Sequence, residues 1–157
     1  NPPMLDLFAE LLDITETLEK QSVPYALVGG LAYSVYVEVR ATEDIDLLVF
    51  PEDWDRIPGL LGPLGYRDIA GPMDFEHVRI RRLTKLEPPD ALVLDFLLAD
   101  GSFRAGVERA LVLTVRGRCV RVAPVEILIA LKRSRMSDKD RSDSAGLEKL
   151  LERRGTP

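Results

Sequence analysis

Three aspartates interrupt segments of this chain that are otherwise apolar. Asp44 and Asp46 stand one residue apart in the stretch DIDLLVF, and Asp95 lies within ALVLDFLLAD. In a β-strand, residues i and i+2 point to the same face, so Asp44 and Asp46 share a face while the apolar residues between and after them point the other way. If the two strands are neighbours in a sheet, the three carboxylates converge on one patch.

Converging carboxylates could do metal-dependent chemistry. They repel one another and cost stability unless a cation compensates them. Mg²⁺ prefers carboxylate oxygens and usually takes one or two of them, together with water and substrate phosphates. A pair of such ions, ~3.5–4 Å apart, can activate a hydroxyl nucleophile and hold a leaving pyrophosphate. A simpler interpretation, in which Asp44 and Asp46 only protect a sheet edge from unwanted pairing, stays open at this point.

Two consecutive glycines stand upstream of these acids. Gly29 and Gly30 follow a short apolar strand predicted at residues 25–28 and precede a predicted helix that starts at Leu31. Glycines let backbone N–H groups approach a phosphate, and a helix N-terminus adds a favourable field. A tight turn before a helix would explain the pair by itself. Combined with Asp44 and Asp46, the glycines predict a phosphate cradle beside metal-binding carboxylates.

Hydrophobic periodicity predicts the elements that must position these residues. Helical spacing covers residues 2–20, with Pro2 and Pro3 at the predicted start. Residues 51–66 predict a short or broken helix, and EPPD at residues 87–90 predicts a turn. Strands are predicted at residues 25–28, 44–50, 75–83 and 91–100, a hairpin pivoting near Gly117 at residues 109–124, and final helices at residues 124–136 and 139–154.

This order of elements indicates the fold class. Three consecutive strand candidates between residues 75 and 122 have no helix between them, which favours an α+β fold with a mixed sheet over a doubly wound parallel one. With 157 residues and a mass of 17.5 kDa, the chain has the size of one domain. We therefore predict a single domain over 1–157, with an N-terminal helix at 1–20 and C-terminal helices at 124–153.

Composition restricts the classes of partner. The formal net charge of −5 argues against broad, unassisted binding of nucleic acid. Basic residues are clustered at residues 79–82, 116–121 and 132–141, which predicts either a local basic groove or ordinary solvated faces. No apolar run approaches the ~18 residues of a membrane span, nothing has the pattern of a signal peptide, and the single cysteine, Cys119, fits a reducing compartment. We expect a cytoplasmic protein without a membrane partner.

Two motifs resemble those of the DNA polymerase β-like nucleotidyltransferase superfamily. GGLA at residues 29–32 is followed by RATEDIDL at residues 40–47. Near the carboxy terminus, a helix containing Lys132 is followed by KDRSD at residues 139–143, which resembles the signature of one branch. That branch contains the abortive-infection and minimal nucleotidyltransferase-like toxins of prokaryotic toxin–antitoxin systems. The resemblance extends from about Val23 to Leu151.

The resemblance implies both a fold and an activity. The fold would be the nucleotidyltransferase fold, a short mixed β-sheet flanked by α-helices, with the active site at its open end. The activity would be transfer of a nucleoside monophosphate from an NTP to a hydroxyl acceptor, with Mg²⁺ as cofactor (two ions, or Mn²⁺ in its place). Acceptors in the superfamily include tRNA 3′ ends, protein side chains and small molecules. The toxin branch implies a tRNA or protein acceptor and an antitoxin protein as partner.

The resemblance also implies roles for individual residues. Asp44 and Asp46 would hold Mg²⁺, and Asp95 would be the third metal-binding carboxylate and would help to deprotonate the acceptor hydroxyl. Lys132 would contact the NTP phosphates as a mobile cation. The other implied nucleotide-binding residues are Gly29, Gly30, Arg40, Thr42, Asp140 and Asp143. For the last two, capping of the final helix is an equal alternative. For Arg40 and Thr42, a plain role at a strand edge is nearly equal.

Departures from the pattern leave the acceptor open. Leu31 follows the second glycine where many superfamily members have Gly-Ser, and Ser137 stands where many relatives have an arginine. Little of the helical domain of the larger toxins remains. A nucleotidyltransferase that modifies a small molecule such as an amino sugar is therefore one alternative. A non-catalytic module that binds a nucleotide or a protein with the same fold is another.

Overall fold

The protein is described here from a computed structural model, which describes residues 5–36 and 44–135, with the backbone alone at residues 34–36. The helices are α1 (Leu7–Lys20), α2 (Gly29–Tyr36), α3 (Ile57–Leu61), α4 (Arg104–Glu108) and α5 (residues 125–135). The strands are β1 (Tyr25–Val28), β2 (Asp44–Val49), β3 (Tyr66–Arg67), β4 (Pro72–Asp74), β5 (Arg79–Glu87), β6 (Asp90–Leu98), β7 (Leu111–Val115) and β8 (Arg118–Val122). Short 3₁₀ turns lie at Pro51–Arg56, Gly62–Leu64 and Gly101–Phe103.

The described strands form one mixed sheet. Their order is β3-β5-β6-β2-β1-β8-β7, and β4 pairs with β5 beside β3. β2 runs parallel to β6 and antiparallel to β1, β1 runs parallel to β8, and the other pairs are antiparallel. The prediction of an α+β fold with a mixed sheet flanked by helices is confirmed.

The middle of the sheet forms the core. β2 and β6 are apolar over most of their length because central strands are covered on both faces. Leu47, Leu48 and Phe96 are fully buried, and Trp54 packs on Phe96 with ring centroids 5.5 Å apart. α1 adds its apolar face through Leu11 and other residues of the same stripe. β2 and β6 are therefore rigid supports for the acids that they contain.

Some boundaries differ from the predicted ones. α1 begins at Leu7 rather than at the prolines, because the side chain of Asp6 caps it and accepts hydrogen bonds from the backbone N–H groups of Phe8 and Ala9 at 3.0 and 3.2 Å. α2 begins at Gly29 and not at Leu31. The strand predicted at residues 75–83 lies at Arg79–Glu87. β3 and β4, with 2 and 3 residues, are too short to leave a periodic signal.

Both predicted turns are confirmed. Pro88 and Pro89 connect β5 to β6, and Gly117 lies in the turn between β7 and β8 with a φ of 77°. None of the described helices is both long enough and apolar enough to cross a membrane.

Candidate active site

Two of the predicted acids lie side by side at the centre of the sheet. Asp46 on β2 is directly opposite Asp95 on the parallel strand β6, and opposite Val28 on β1 on its other side. Only 8% of Asp46 and 2% of Asp95 is exposed. Buried carboxylates are rare in proteins unless they are paired, so this placement calls for a compensating charge.

Asp44 lies on the same face at the end of β2. It is two residues before Asp46 and opposite Val93 of β6, and its side chain is exposed. The alternation predicted from the sequence therefore holds, with Asp44 at the solvent side of the patch and Asp46 inside it. The structure thus brings all three predicted acids to one region of the sheet. Asp44 is exposed to solvent, and Asp46 and Asp95 are buried.

A basic side chain that the sequence analysis did not assign to the site, Arg82, contacts Asp95. Arg82 on β5 is opposite Asp95 in the antiparallel β5–β6 pair. Its Nε donates to Oδ1 of Asp95 at 2.8 Å and its Nη2 donates to Oδ2 at 3.0 Å. The hydrogen bond to Asp95 raises the pKa of Arg82, and the charges of Asp44 and Asp46 act in the same direction. Arg82 is thus part of the acid cluster and does not belong to a separate basic groove.

The proton affinity of Asp46 is unusual. Burial is the main reason that its pKa is raised from 3.8 to about 6, because desolvation disfavours the charged carboxylate. The negative charges of Asp95 and Asp44 also raise the pKa, whereas the guanidinium groups of Arg135 and Arg82 lower it. Perturbed pKa values cluster at functional sites, where burial and like charges match acids and bases to their task, and they also occur in structural ion-pair networks.

Gly29 makes room for Asp46. It lies at the junction of β1 and α2 with a φ of 74°, a conformation that favours glycine. A Cβ atom at this position would overlap Oδ2 of Asp46 and would lie 3.0 Å from its Cβ and Cγ. The glycine therefore serves two purposes: it makes the turn into α2, and its lack of a side chain leaves the space that Oδ2 of Asp46 occupies.

α5 brings basic side chains towards the same region. The ammonium group of Lys132 lies over the ring of Tyr33 on α2, 5.6 Å from its centroid. Lys132 is exposed, and Arg135 one turn later influences Asp46 as described above. The predicted lysine is thus held beside the helix that begins at Gly29, where a cation–π contact restricts a flexible side chain.

Four predicted nucleotide-binding residues lie outside the described residues. They are Arg40, Thr42, Asp140 and Asp143. Their assignment remains a prediction. Ser137, where many relatives have an arginine, also lies outside the described part of the chain.

The acids do not form a closed metal cage. Within residues 5–36 and 44–135, no group of three or more His, Cys, Asp or Glu side chains is placed so that it could hold a metal ion. Both oxygens of Asp95 accept hydrogen bonds from Arg82. Asp44 and Asp46 still supply the hard oxygen donors that Mg²⁺ prefers, and Mg²⁺ commonly uses only one or two carboxylates. Asp44 lies at the exposed end of β2, which is compatible with access of such an ion.

The first two arginine clusters, for which a basic groove and ordinary solvated faces were both open, are ion-paired. Each arginine of the first two clusters has a carboxylate partner: Arg79 with Asp100, Arg81 with Asp74, Arg82 with Asp95, Arg116 with Asp6, Arg118 with Glu16 and Arg121 with Glu19. Ion pairing cancels much of the positive field that would attract a phosphate backbone. These two clusters therefore give little support to a basic groove.

The sequence contains a signal that places Arg82 in the site, although the sequence analysis did not assign it there. The turn predicted at EPPD pairs Glu87 with Asp90, and counting back along both strands places Arg82 opposite Asp95. The opposite charges of this pair were thus predictable from the turn alone. The approach of Tyr33 and Arg135 to the site had no such signal, because it depends on how α2 and α5 pack on the sheet.

Comparisons with known proteins agree with this architecture. No family model matches the sequence, and no curated protein does. A candidate nucleotidyltransferase from Thermotoga maritima is similar in structure, with a TM-score of 0.67 at 12% identity, over 93% of this chain and 92% of that one.

Two structures of antibiotic-modifying proteins are also similar. Antibiotic-resistance factor ANT(2″)-Ia, in complex with adenylyl-2″-tobramycin, gives a TM-score of 0.52 at 19% identity over 77% of this chain and 71% of that one. Lincosamide antibiotic adenylyltransferase LnuA, with lincomycin bound, gives a TM-score of 0.55 at 15% identity over 82% of this chain and 86% of that one. At these identities the likeness establishes the nucleotidyltransferase fold of this chain.

Proposed function

We propose that this protein is a metal-dependent nucleotidyltransferase, which transfers a nucleoside monophosphate from an NTP to a hydroxyl acceptor. One observation carries the proposal: two carboxylates, Asp46 and Asp95, are buried side by side on central strands of a nucleotidyltransferase fold, with Asp46 packed against Gly29. Folding alone has no use for such a pair, since apolar residues at both positions would be more stable. Chemistry on a charged substrate gives a reason for their presence.

Asp44 and Asp46 would hold the metal ion. Both present carboxylate oxygens on one face of β2, and Asp44 stands towards solvent, where an ion can enter. A bound Mg²⁺, with Mn²⁺ as a substitute, would neutralise charge on the NTP phosphates and stabilise the leaving pyrophosphate. Asp95 as a third ligand, and a second ion, belong to the same proposal.

The remaining residues would bind and orient the reactants. The backbone N–H groups of Gly29 and Gly30 would face the triphosphate at the start of α2. Lys132, restricted by Tyr33, would contact the phosphates. Arg40, Thr42, Asp140 and Asp143 are proposed as further nucleotide contacts on the basis of the sequence motifs only.

The transfer itself would exchange a phosphoanhydride bond of the NTP for a phosphoester bond to the acceptor. The acceptor oxygen forms a bond to the α-phosphorus while the bond from that phosphorus to the bridging oxygen of pyrophosphate breaks. The hydroxyl proton passes to the carboxylate of Asp95, which Arg82 keeps in a fixed orientation. Holding the two reactants in line supplies much of the rate enhancement in reactions of this type.

The acceptor is proposed from two alternatives. Transfer to tRNA or a protein side chain, as in a toxin with an antitoxin partner, follows from the sequence motifs. A small hydroxyl-bearing acceptor is the second candidate, and the ion pairing of the two arginine clusters favours it, since an RNA would gain little from neutralised guanidinium groups. The antibiotic-bound structures described above are consistent with an acceptor of this size.

Transfer of label tests both the reaction and the acceptor. The protein is incubated with Mg²⁺ and each α-labelled NTP, with total tRNA, with protein extract, or with panels of amino sugars and lincosamides. We expect label in one acceptor class and stoichiometric release of pyrophosphate. Asp46→Asn should abolish both, and Asp100→Asn, a change at an exposed ion-paired aspartate, should retain both. Binding of NTP without any transfer to these acceptors would favour the non-catalytic module instead.

A further inference from the structure

The carboxylate of Asp95 is already occupied by a cation. Arg82 uses two of its N–H groups on two different oxygens, which is the strongest geometry that arginine forms with a carboxylate. Only 3% of the side chain of Asp95 is exposed, compared with 36% of that of Arg82. The partly exposed guanidinium of Arg82 thus contacts an acid that is almost entirely buried.

The position of Arg82 follows from the problem that the two acids create. Asp46 and Asp95 are direct neighbours across the β2–β6 pair, and two negative charges at that separation repel each other strongly when water is excluded. Arg82 is the next residue in the same row, across the β5–β6 pair. The row Arg82, Asp95, Asp46 therefore spans three adjacent strands and carries one compensating positive charge.

We propose that Arg82 is the resting cation partner of Asp95, and that a divalent ion bound between Asp46 and Asp95 has to share that carboxylate with it. The inference deepens the metal dependence that the proposed function assigns to this site. Arg82 is a positioning residue, because it acts on the reaction through Asp95. Its charge also weakens the attraction of the acid cluster for a cation, so binding of metal is weaker than the three acids alone would give.

Arg79 provides a matched control on the same strand. It makes the same kind of two-point contact with Asp100, with Nε to Oδ2 and Nη2 to Oδ1 both at 2.8 Å. Both partners there are exposed, and odd-numbered residues of β5 point to the opposite face from Arg82. Substitution of Arg79 removes an equivalent ion pair that lies away from Asp46 and Asp95.

Titration with Mn²⁺ alone, followed by its paramagnetic resonance signal, tests the proposal without any substrate. We expect Arg82→Gln to bind Mn²⁺ about tenfold more tightly than the wild type, because one positive charge near the ion is removed. Arg82→Lys, which keeps the charge but not the two-point contact, should bind with an intermediate affinity. Arg79→Gln should match the wild type.

Thermal unfolding gives a second readout. In the presence of a chelator, Arg82→Gln should unfold roughly 5 °C below the wild type, since Asp95 loses its partner. Mn²⁺ should restore most of this loss, because the ion replaces the missing cation. A purely structural role for Arg82 would give a loss of stability that metal does not restore.

A double-mutant cycle assigns the effect to Asp95. In an Asp95→Asn background, Arg82→Gln should change the Mn²⁺ affinity much less than in the wild type, because the competition for Asp95 is gone and only the longer-range effect of the charge remains. Unchanged or weaker Mn²⁺ binding by Arg82→Gln, or by Arg82→Lys if the glutamine variant does not fold, would overturn the proposal, and so would an effect of the same size without Asp95. Failure of nucleotide transfer with these metal results intact would count against the proposed function alone.

Discussion

Strand β5 carries two arginine–aspartate pairs of nearly the same geometry in different surroundings. Arg82 and Arg79 each hold both oxygens of an aspartate at 2.8 to 3.0 Å. Asp95 is almost fully buried beside Asp46, whereas half of the Asp100 side chain is exposed. The contacts are equivalent, and the difference between the two pairs is the amount of water around them.

This difference shows why contact geometry does not identify a functional residue. An exposed pair gains little, because water and salt already screen both charges. A buried pair also contributes little net stability, but removal of one partner leaves an uncompensated charge. Single substitutions in the row Arg82, Asp95, Asp46 should therefore change stability and activity strongly. Substitutions in the exposed ion pairs should change them little. Four changes test this contrast.

The largest effect is expected on activity. Asp95→Asn should lower the rate of nucleotide transfer about 10³-fold, equivalent to about 4 kcal/mol of transition-state stabilisation, because the proposed proton acceptor is lost. Asp100→Asn should change the rate less than twofold. Single-turnover measurements with saturating NTP and metal provide the comparison. Equal rates for the two variants would remove Asp95 from the reaction.

The second effect concerns space beside Asp46. Gly29→Ala should destabilise the protein by about 3 kcal/mol and slow transfer, because the new Cβ overlaps a carboxylate oxygen at a positive φ. Gly71→Ala has nearly the same φ, 75°, with nothing within 4 Å of the new Cβ, so only the backbone cost of about 1 kcal/mol is expected. Urea denaturation of both variants measures the difference. Similar losses would mean that the backbone conformation alone explains Gly29.

The third effect is a pH dependence of stability that comes from Asp46. Its pKa is about 6 in the folded protein and 3.8 in the reference state, so the folded state binds the proton more tightly. The stabilising contribution is therefore complete below about pH 4 and is lost as the pH rises through 6. The free energy of unfolding should fall by about 2 kcal/mol over this range in metal-free protein. Asp46→Asn should remove this slope and be more stable than the wild type at pH 7, although inactive.

Denaturation in urea at pH 4, 5, 6 and 7 with a chelator measures this dependence. Asp100→Asn is the matched control, since Arg79 holds the pKa of Asp100 below its usual value and its contribution changes in the opposite direction, at lower pH. A slope between pH 4 and 6 that survives in Asp46→Asn would assign it to another group.

The smallest effect is expected at the exterior ion pairs. Arg116→Ala removes the pair with Asp6, in which about half of each side chain is exposed. The free energy of unfolding should fall by less than about 0.5 kcal/mol, and by still less in high salt. Thermal unfolding at low and high ionic strength checks this. A loss comparable with that of Arg82→Gln would contradict the contrast between interior and exterior charges.

Local patterns determined much of the site. The alternation of Asp44 and Asp46 follows from the period of a strand, which is a property of the backbone and needs no tertiary information. The turn at Pro88 and Pro89 fixed the register of β5 on β6 in the same way. The glycine at position 29 marked the junction of β1 and α2. The sequence therefore predicted the mixed sheet and the elements that carry the acids.

Long-range contacts were decided only by the tertiary structure. Asp46 and Asp95 are 49 positions apart and meet because β2 and β6 pair in parallel, a choice that depends on packing across the whole sheet. The sequence clustered Arg79, Arg81 and Arg82 as one basic group, but alternation and burial separate them into different ion pairs. The interaction energy of a charged side chain depends on its neighbours and on its exposure to water, and in this protein the fold determines both.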